Sequence, residues 1–334
     1  MLNTIDYGAL AQRHGDLDAT WEPEWIIEGI WRRNAVNMYA GTPKKSRKSS
    51  MRKYLMACAL TGEPAFETFK VRKIERILNI LGEDDARIER RHIDTAIQHL
   101  GYDPKHYEDS IYHLEIHGQD LKSTIQTQQL LKYVVAEGYD LVNFDPLAHF
   151  HSSEENSATE MSIVLRNLHW IADKTAVNVL HHLAKPPQVI NKAKGDMANR
   201  TLSELLRGSS ALAGGHDNLV VALPVGESYT RVRLGFENKV PPPCGQPEEM
   251  EVVIDHDTWL WKPAVLLSDQ AIIDTLRDLG PLSGSKLAKE LGRNKDEVLS
   301  RLRVLHEEGR VVEEGKGRTH KYNAVLIEPE WGES

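Results

Sequence analysis

The chain has 334 residues, 40% of them hydrophobic and 27% charged, which suits one domain of enzyme size plus a small one and argues against bulk disorder. A formal net charge of −8 excludes a surface that is basic all over, so any contact with nucleic acid must come from a local patch of Lys and Arg. Two cysteines, Cys58 and Cys244, do not support a disulfide framework or a zinc site. No apolar run approaches the roughly 18 residues of a membrane span, and residues 1–11 lack a signal-peptide pattern, so the expected compartment is the cytosol.

Residues 1–30 form a polar and aromatic N-terminal extension that carries Trp21 and Trp25 and leads to Trp31. The apolar run at 34–40 ends at Gly41, and the helical stretch 51–61 follows, closed by Gly62, so the pattern predicts strand, loop, helix. A second strand is expected at 76–81, running into Gly82-Glu83-Asp84-Asp85 and a charged helix to about His99. Next come a helix at 123–137, a strand at 139–144 that stops at Asp145-Pro146, a helix at 158–174, and a strand at 176–180 that ends at His181-His182. Such alternation predicts an α/β fold with a mostly parallel sheet. Residues 219–223 and 230–234 read as further strands forming a hairpin at the sheet edge.

Prolines 241–243 and 247 break the chain, and its character changes after Trp261-Lys-Pro263. Three short helices at 269–279, 285–291 and 294–308 precede a hairpin at 310–322 that turns at Gly315 and Gly317, which is the winged helix-turn-helix plan. The expected division is therefore a domain at 1–262, including the extension, and a small C-terminal domain at 265–330.

The chemistry concentrates between Gly41 and Ser50. A phosphate loop wraps backbone N–H groups around a phosphate at a helix N-terminus, while a Lys reaches the outer phosphates and a Ser or Thr hydroxyl holds Mg²⁺. Lys48 and Ser49 stand in those two places, and Gly41, Pro43, Lys44, Ser46 and Ser50 complete the candidate nucleotide-binding set. The loop departs from the usual pattern twice: Arg47 replaces the glycine before the Lys, and one extra residue separates Gly41 from Lys48. Asp145, at a strand end, is placed to hold Mg²⁺ together with Ser49, and Glu83 is the leading general base or water-orienting group.

In this order of motifs the chain resembles the RepA-like branch of the RecA/DnaB-type hexameric P-loop ATPases. The resemblance covers roughly residues 21 to 240. It rests on Trp25-Ile-Ile-Glu-Gly, the loop ending at Ser49, Ile80-Leu-Gly-Glu-Asp84 and Phe144-Asp-Pro-Leu147. It continues with Glu154-Glu-Asn-Ser157, His181-His-Leu-Ala-Lys185 and Arg207-Gly-Ser-Ser-Ala-Leu212. It implies a RecA-like P-loop NTPase core, ATP and Mg²⁺ as cofactors, Asp145 as the Walker B acid, and Glu83 as catalytic base. It also implies His182 as the γ-phosphate sensor and Arg207 as an arginine acting on a neighbouring subunit's site, with Lys239 a weaker candidate for that role. Active sites between subunits imply self-assembly into a ring or filament, with a hexamer as the expected form.

Residues 185–207 carry five basic side chains, Lys185, Lys192, Lys194, Arg200 and Arg207, against Asp196 and Glu204. In RecA-like proteins this loop faces a channel and touches single-stranded DNA, while a solvated surface loop is the alternative. Residues 268–323 hold eleven Lys and Arg against ten Asp and Glu, and Lys316, Arg318 and Lys321 place the basic part on the wing, which favours duplex DNA over a protein partner. Two functions follow as expectations. One is a Mg²⁺-dependent ATPase acting on DNA, helicase-like or helicase-loader-like, of a plasmid, phage or mobile element. The alternative is a nucleotide-binding regulator or assembly factor with little hydrolysis.

Overall fold

The apolar runs of the larger part of the chain become the strands of one sheet. The computed structural model describes the chain except for residues 1–11, 185–200, 226–229, 265–267, 316–319 and 326–334 and single positions 19, 44, 117, 209, 244, 246, 292 and 294. The chain divides into two units, Met1–Ala264 and Val265–Ser334.

In the first unit a short hairpin, β1 (Trp25–Ile27) and β2 (Trp31–Arg32), precedes β3 (Val36–Gly41). The sheet continues with β4 (Ile77–Leu81), β5 (Ile111–Glu115), β6 (Leu141–Asp145), β7 (Ala176–His182), β8 (Asn218–Pro224), β9 (Arg231–Asn238), β10 (Glu249–Ile254) and β11 (Trp261–Pro263). Among the described residues their order is β11-β10-β9-β8-β3-β7-β6-β4-β5. The six strands from β8 to β5 run parallel, and β9, β10 and β11 add an antiparallel extension. Chain order therefore reverses beside β3, and the crevice at such a reversal, at the C-terminal strand ends, is where open α/β sheets bind ligands.

Alternation along each strand sorts the core into two layers. Val36, Met38 and Ala40 of β3, Val142 and Phe144 of β6 and Val177 and Val179 of β7 pack with α3 (Thr124–Glu137) and α4 (Ala158–Ala172). Tyr39, Ile77, Leu141, Leu180 and Val220 face the other way, against α1 (Lys48–Thr61) and α2 (Ala86–His99). Covered on both faces, the parallel strands read as nearly continuous apolar runs. Helix starts follow the side chains available: Asp85, Ser123 and Ser157 accept backbone N–H groups at the N-termini of α2, α3 and α4. The N-terminus of α1 has no such cap. A short α5 (Ser210–Gly215) leads into β8.

A row of polar residues crosses the middle of this sheet on the α1 face. Asn218, Asn37, Asn178, Asn143 and Asn79 sit at matching positions of β8, β3, β7, β6 and β4, and His113 of β5 follows next to Asn79. All five asparagines are buried. Asn218 Nδ2 donates to Asn37 Oδ1 at 2.7 Å, and Asn178 Nδ2 donates to Asn143 Oδ1 at 2.8 Å.

Three features differ from the sequence reading. The 219–223 and 230–234 strands do pair as a hairpin, but not at the edge: β8 lies beside β3, and β9 continues into β10 and β11. The pattern hides that extension because 249–254 begins Glu-Met-Glu after a proline-rich break. β5 was not anticipated, since Tyr112-His113-Leu114-Glu115 looks polar, as an edge strand does. Gly41 is the last residue of β3 rather than the first of the loop.

In the second unit α6 (Asp269–Leu279), α7 (Gly284–Glu290) and α8 (Lys295–Glu307) precede a hairpin of β12 (Val311–Glu314) and β13 (Lys321–Ala324). Ile272, Leu276, Leu287, Leu302, Leu305 and Tyr322 form its core. Asp269 holds both Arg301 and Arg310, which ties α6 to α8 and to the start of the hairpin. Among the described residues of the chain, no helix is long and apolar enough to cross a membrane.

The asparagine row yields a test. Asn178→Val leaves the Asn143 oxygen buried without its donor and is expected to cost about 1–3 kcal/mol in urea unfolding. Removing both amides in Asn143→Val/Asn178→Val is expected to recover most of that loss, because each residue's remaining polar atom has no partner in the native fold.

Candidate functional site

The C-terminal ends of β3, β7, β6 and β4 bring four sequence candidates to one end of the sheet. Gly41 is paired in register with His182, and Leu81, two residues before Glu83, with Asp145. The N–H of Gly82 donates to the Asp145 carbonyl at 2.9 Å, closing β4 onto β6.

The loop after β3 folds back over Gly41. A Cβ there would lie 2.3 Å from Ser46 Oγ and 3.0 Å from the Ala222 carbonyl oxygen, so only glycine fits. Ser46 is fully buried, and its hydroxyl donates to the Thr42 carbonyl at 2.7 Å. It staples the loop from inside, while Pro43 lies exposed at its tip. Arg47, standing where phosphate loops carry glycine, takes the left-handed conformation at φ 53°, ψ 33°. A side chain there costs roughly 1–2 kcal/mol.

From Arg47 the chain enters α1, which is buried almost end to end. An uncapped helix N-terminus offers N–H groups and the positive end of the helix dipole to an anion. Ser49 and Ser50 lie in this first turn. Lys48 Nζ donates to the Gly41 carbonyl at 3.1 Å and to His182 Nδ1 at 3.2 Å. Burial lowers the Lys48 pKa to about 8, against the pull of Asp145 and Glu83 that favours its charge. Burial, then Lys48, His181 and Arg207, hold His182 down at about 4, so its ring is neutral and accepts from the ammonium.

Asp145 is buried, and its Oδ2 lies 3.0 Å from Arg52 Nη2. The same Arg52 nitrogen sits 2.5 Å from Glu89 Oε2, and Arg52 Nη1 donates to Asn79 Oδ1. Lys53 Nζ contacts Glu89 Oε1 at 2.6 Å and Asp84 at 3.4 Å. Burial raises the Glu89 pKa, but Arg52 and Lys53 outweigh it and hold the carboxyl at about 2. Asp84 is raised by burial despite Lys53. Sequence reasoning missed Arg52, Lys53, Glu89 and Asn79. The signal was present as two adjacent cations in a helix otherwise apolar on every side.

The remaining candidates fall as follows. Glu83 Oε1 meets His149 Nε2 at 2.9 Å. Arg207 joins the same sheet end: its N–H donates to the His182 carbonyl at 3.0 Å, and its Nε lies 2.9 Å from Glu155 Oε2. Lys239 pairs with Asp217 at 3.6 Å, at the opposite end of the sheet. Lys321 is exposed on β13, opposite Glu314, in the second unit. Lys44, Lys185, Lys192, Lys194, Arg200, Lys316 and Arg318 lie outside the described residues.

The oxygen donors suit a small hard cation. Among the described residues no group of three or more His, Cys, Asp or Glu is arranged to hold a metal. Mg²⁺ is commonly held instead by one or two carboxylates together with substrate phosphates. Asp145 Oδ2 is ion-paired with Arg52 at 3.0 Å but accepts no well-aligned hydrogen bond, and the Ser49 hydroxyl sits at the start of the uncapped helix.

The AAA domain profile matches residues 10–188, a span that contains β3, α1, β4, β6 and β7 with Lys48, Glu83, Asp145 and His182. This chain belongs to the AAA domain family. No curated protein gives a match. The AAA domain assignment supports a P-loop, ATPase-like domain for this part of the chain. Arg207 and the second unit lie beyond the matched residues.

Two outcomes test this geometry. Gly41→Ala is expected to abolish nucleotide binding in calorimetry and to destabilise the fold by about 1–3 kcal/mol, and adding Ser46→Gly is expected to restore part of both by removing the nearest collision. Because only protonated Lys48 attracts phosphate, nucleotide affinity is expected to hold at neutral pH and fall as pH rises through about 8. A pH-titrated binding series checks the sign.

Proposed function

We propose that this AAA domain is a Mg²⁺-dependent ATPase acting on DNA, helicase-like or helicase-loader-like, of a plasmid, phage or mobile element. The observation that carries the catalytic part is the position of Lys48: buried at an uncapped helix start, bonded to a neutral His182 and within electrostatic reach of Asp145 and Glu83. Lys48 and the first-turn N–H groups would bind the β- and γ-phosphates. Asp145 and Ser49 would hold Mg²⁺, which supplies charge neutralisation on the transferring phosphate. Glu83, freed from His149, would orient the attacking water, and His182 would report the γ-phosphate to Arg207 through the shared backbone hydrogen bond.

In this reading Arg207 acts on a neighbouring copy, so the working form is a ring or filament, with a hexamer expected. The basic stretch at 185–207 would meet single-stranded DNA. The three helices and hairpin of the second unit would act as a winged helix on duplex DNA, with Lys321 on its wing.

A second reading, a nucleotide-binding regulator or assembly factor with little turnover, draws on Arg47 in the glycine position and on the His149 contact that occupies Glu83. ATPase measurement with and without single-stranded DNA separates the two. The expected outcome is DNA-stimulated hydrolysis, lost in Lys48→Ala together with binding, and lost in Glu83→Gln with binding retained. Tight binding with no hydrolysis above the Glu83→Gln level would select the regulator.

A further inference from the structure

Arg52 stands four residues after Lys48, one turn along α1, and is 1% exposed. Its guanidinium is clamped from two sides by Glu89 of α2 and Asn79 of β4, and it presents Nη2 to Asp145 at 3.0 Å. No pattern of phosphate chemistry requires an arginine there. A charge removed from water in this way is tolerated only when fully paired, and the planar fork suits a carboxylate better than an ammonium does.

The arrangement has an electrostatic effect on the phosphate site. Asp145 by itself would repel a triphosphate, and a divalent cation would be the means of overcoming that repulsion. A fixed guanidinium on the carboxylate cancels most of its field without any metal. Lys53 offsets Glu89 through its other oxygen at 2.6 Å, and because Lys53 also meets Asp84 at 3.4 Å that offset is partial.

We infer that Arg52 is a positioning residue of the nucleotide site: it fixes the Asp145 carboxylate and acts as a built-in cation beside it, so that nucleotide binding depends only weakly on Mg²⁺. The inference rests on the nucleotide reading above and adds a metal dependence to it. Mg²⁺ remains the partner of the chemical step, while Arg52 governs what the metal adds to affinity.

The test is the dissociation constant of ATP measured by calorimetry with Mg²⁺ and with EDTA. For the wild-type protein the two values are expected to differ by less than about tenfold. In Arg52→Gln/Glu89→Gln, which removes one cation and one anion together, the ratio is expected to grow by at least about tenfold, chiefly through weaker metal-free binding. Arg52→Lys, which keeps the charge, is expected to stay near the wild-type ratio. If Arg52 works through Asp145, neutralising 52 and 89 in an Asp145→Asn background should no longer change the ratio.

A wild-type ratio well above tenfold overturns the inference without any variant. So does a doubly neutral variant that melts normally and keeps the wild-type ratio, or an equal change in the Asp145→Asn background. Absence of ATP binding under either condition overturns the nucleotide reading and this inference with it, whereas binding with an unchanged ratio overturns this inference alone.

Discussion

The first unit is organised around one buried guanidinium. Arg52 joins α1, α2, β4 and β6 through Glu89, Asn79 and Asp145, inside a layer otherwise built from Met51, Leu55, Met56 and their neighbours. Buried ion pairs seldom add net stability over an apolar replacement of equal volume, but losing one partner alone costs about 3–5 kcal/mol. The contribution of such a cluster is therefore positional: α1 can settle in the register that satisfies Arg52, and in no neighbouring one. That register delivers Lys48 and Ser49 to the ends of β3 and β7.

The electrostatics of the sheet end follow from burial. Lys48 is desolvated enough to sit near pKa 8 and keeps its charge at neutral pH because Asp145 and Glu83 are close. His182, desolvated and ringed by cations, is neutral and accepts from Lys48. An anion arriving at the helix start meets a cation whose present partners are a carbonyl and an uncharged ring. Both release it at far lower cost than a carboxylate would.

Much of this was legible in the sequence because strand ends announce themselves. Asp145 closes Leu-Val-Asn-Phe, His182 closes a run from Ala176, and Gly82 and Gly41 follow apolar stretches, so the order of candidate residues along the chain predicts their convergence once a parallel sheet is inferred. The four-helix, two-face layering was readable from the same periodicity. Two things were not. The antiparallel extension through β10 and β11 starts with alternating Glu residues, and that pattern is no different from an exposed loop. Arg52 left only a faint signal, a cation beside Lys53 in a largely apolar helix, because helix propensity is indifferent to it and only tertiary packing shows that the face it occupies is interior. The left-handed Arg47 was visible as a departure from the glycine pattern, but its backbone angles were not.

The asparagine row has a consequence for how the sheet finds its strand alignment. Parallel strands rich in Val, Ile and Leu are nearly periodic, and a slid pairing would bury almost as much apolar surface as the native one. A single amide at the same level of five adjacent strands removes that degeneracy. A one-residue slip turns each asparagine toward α3 and α4, and a two-residue slip sets an amide against Val or Leu side chains with no partner. The row thus distinguishes the native alignment, in which Gly41 stands level with His182 and Asp145 stands level with Leu81, two residues before Glu83.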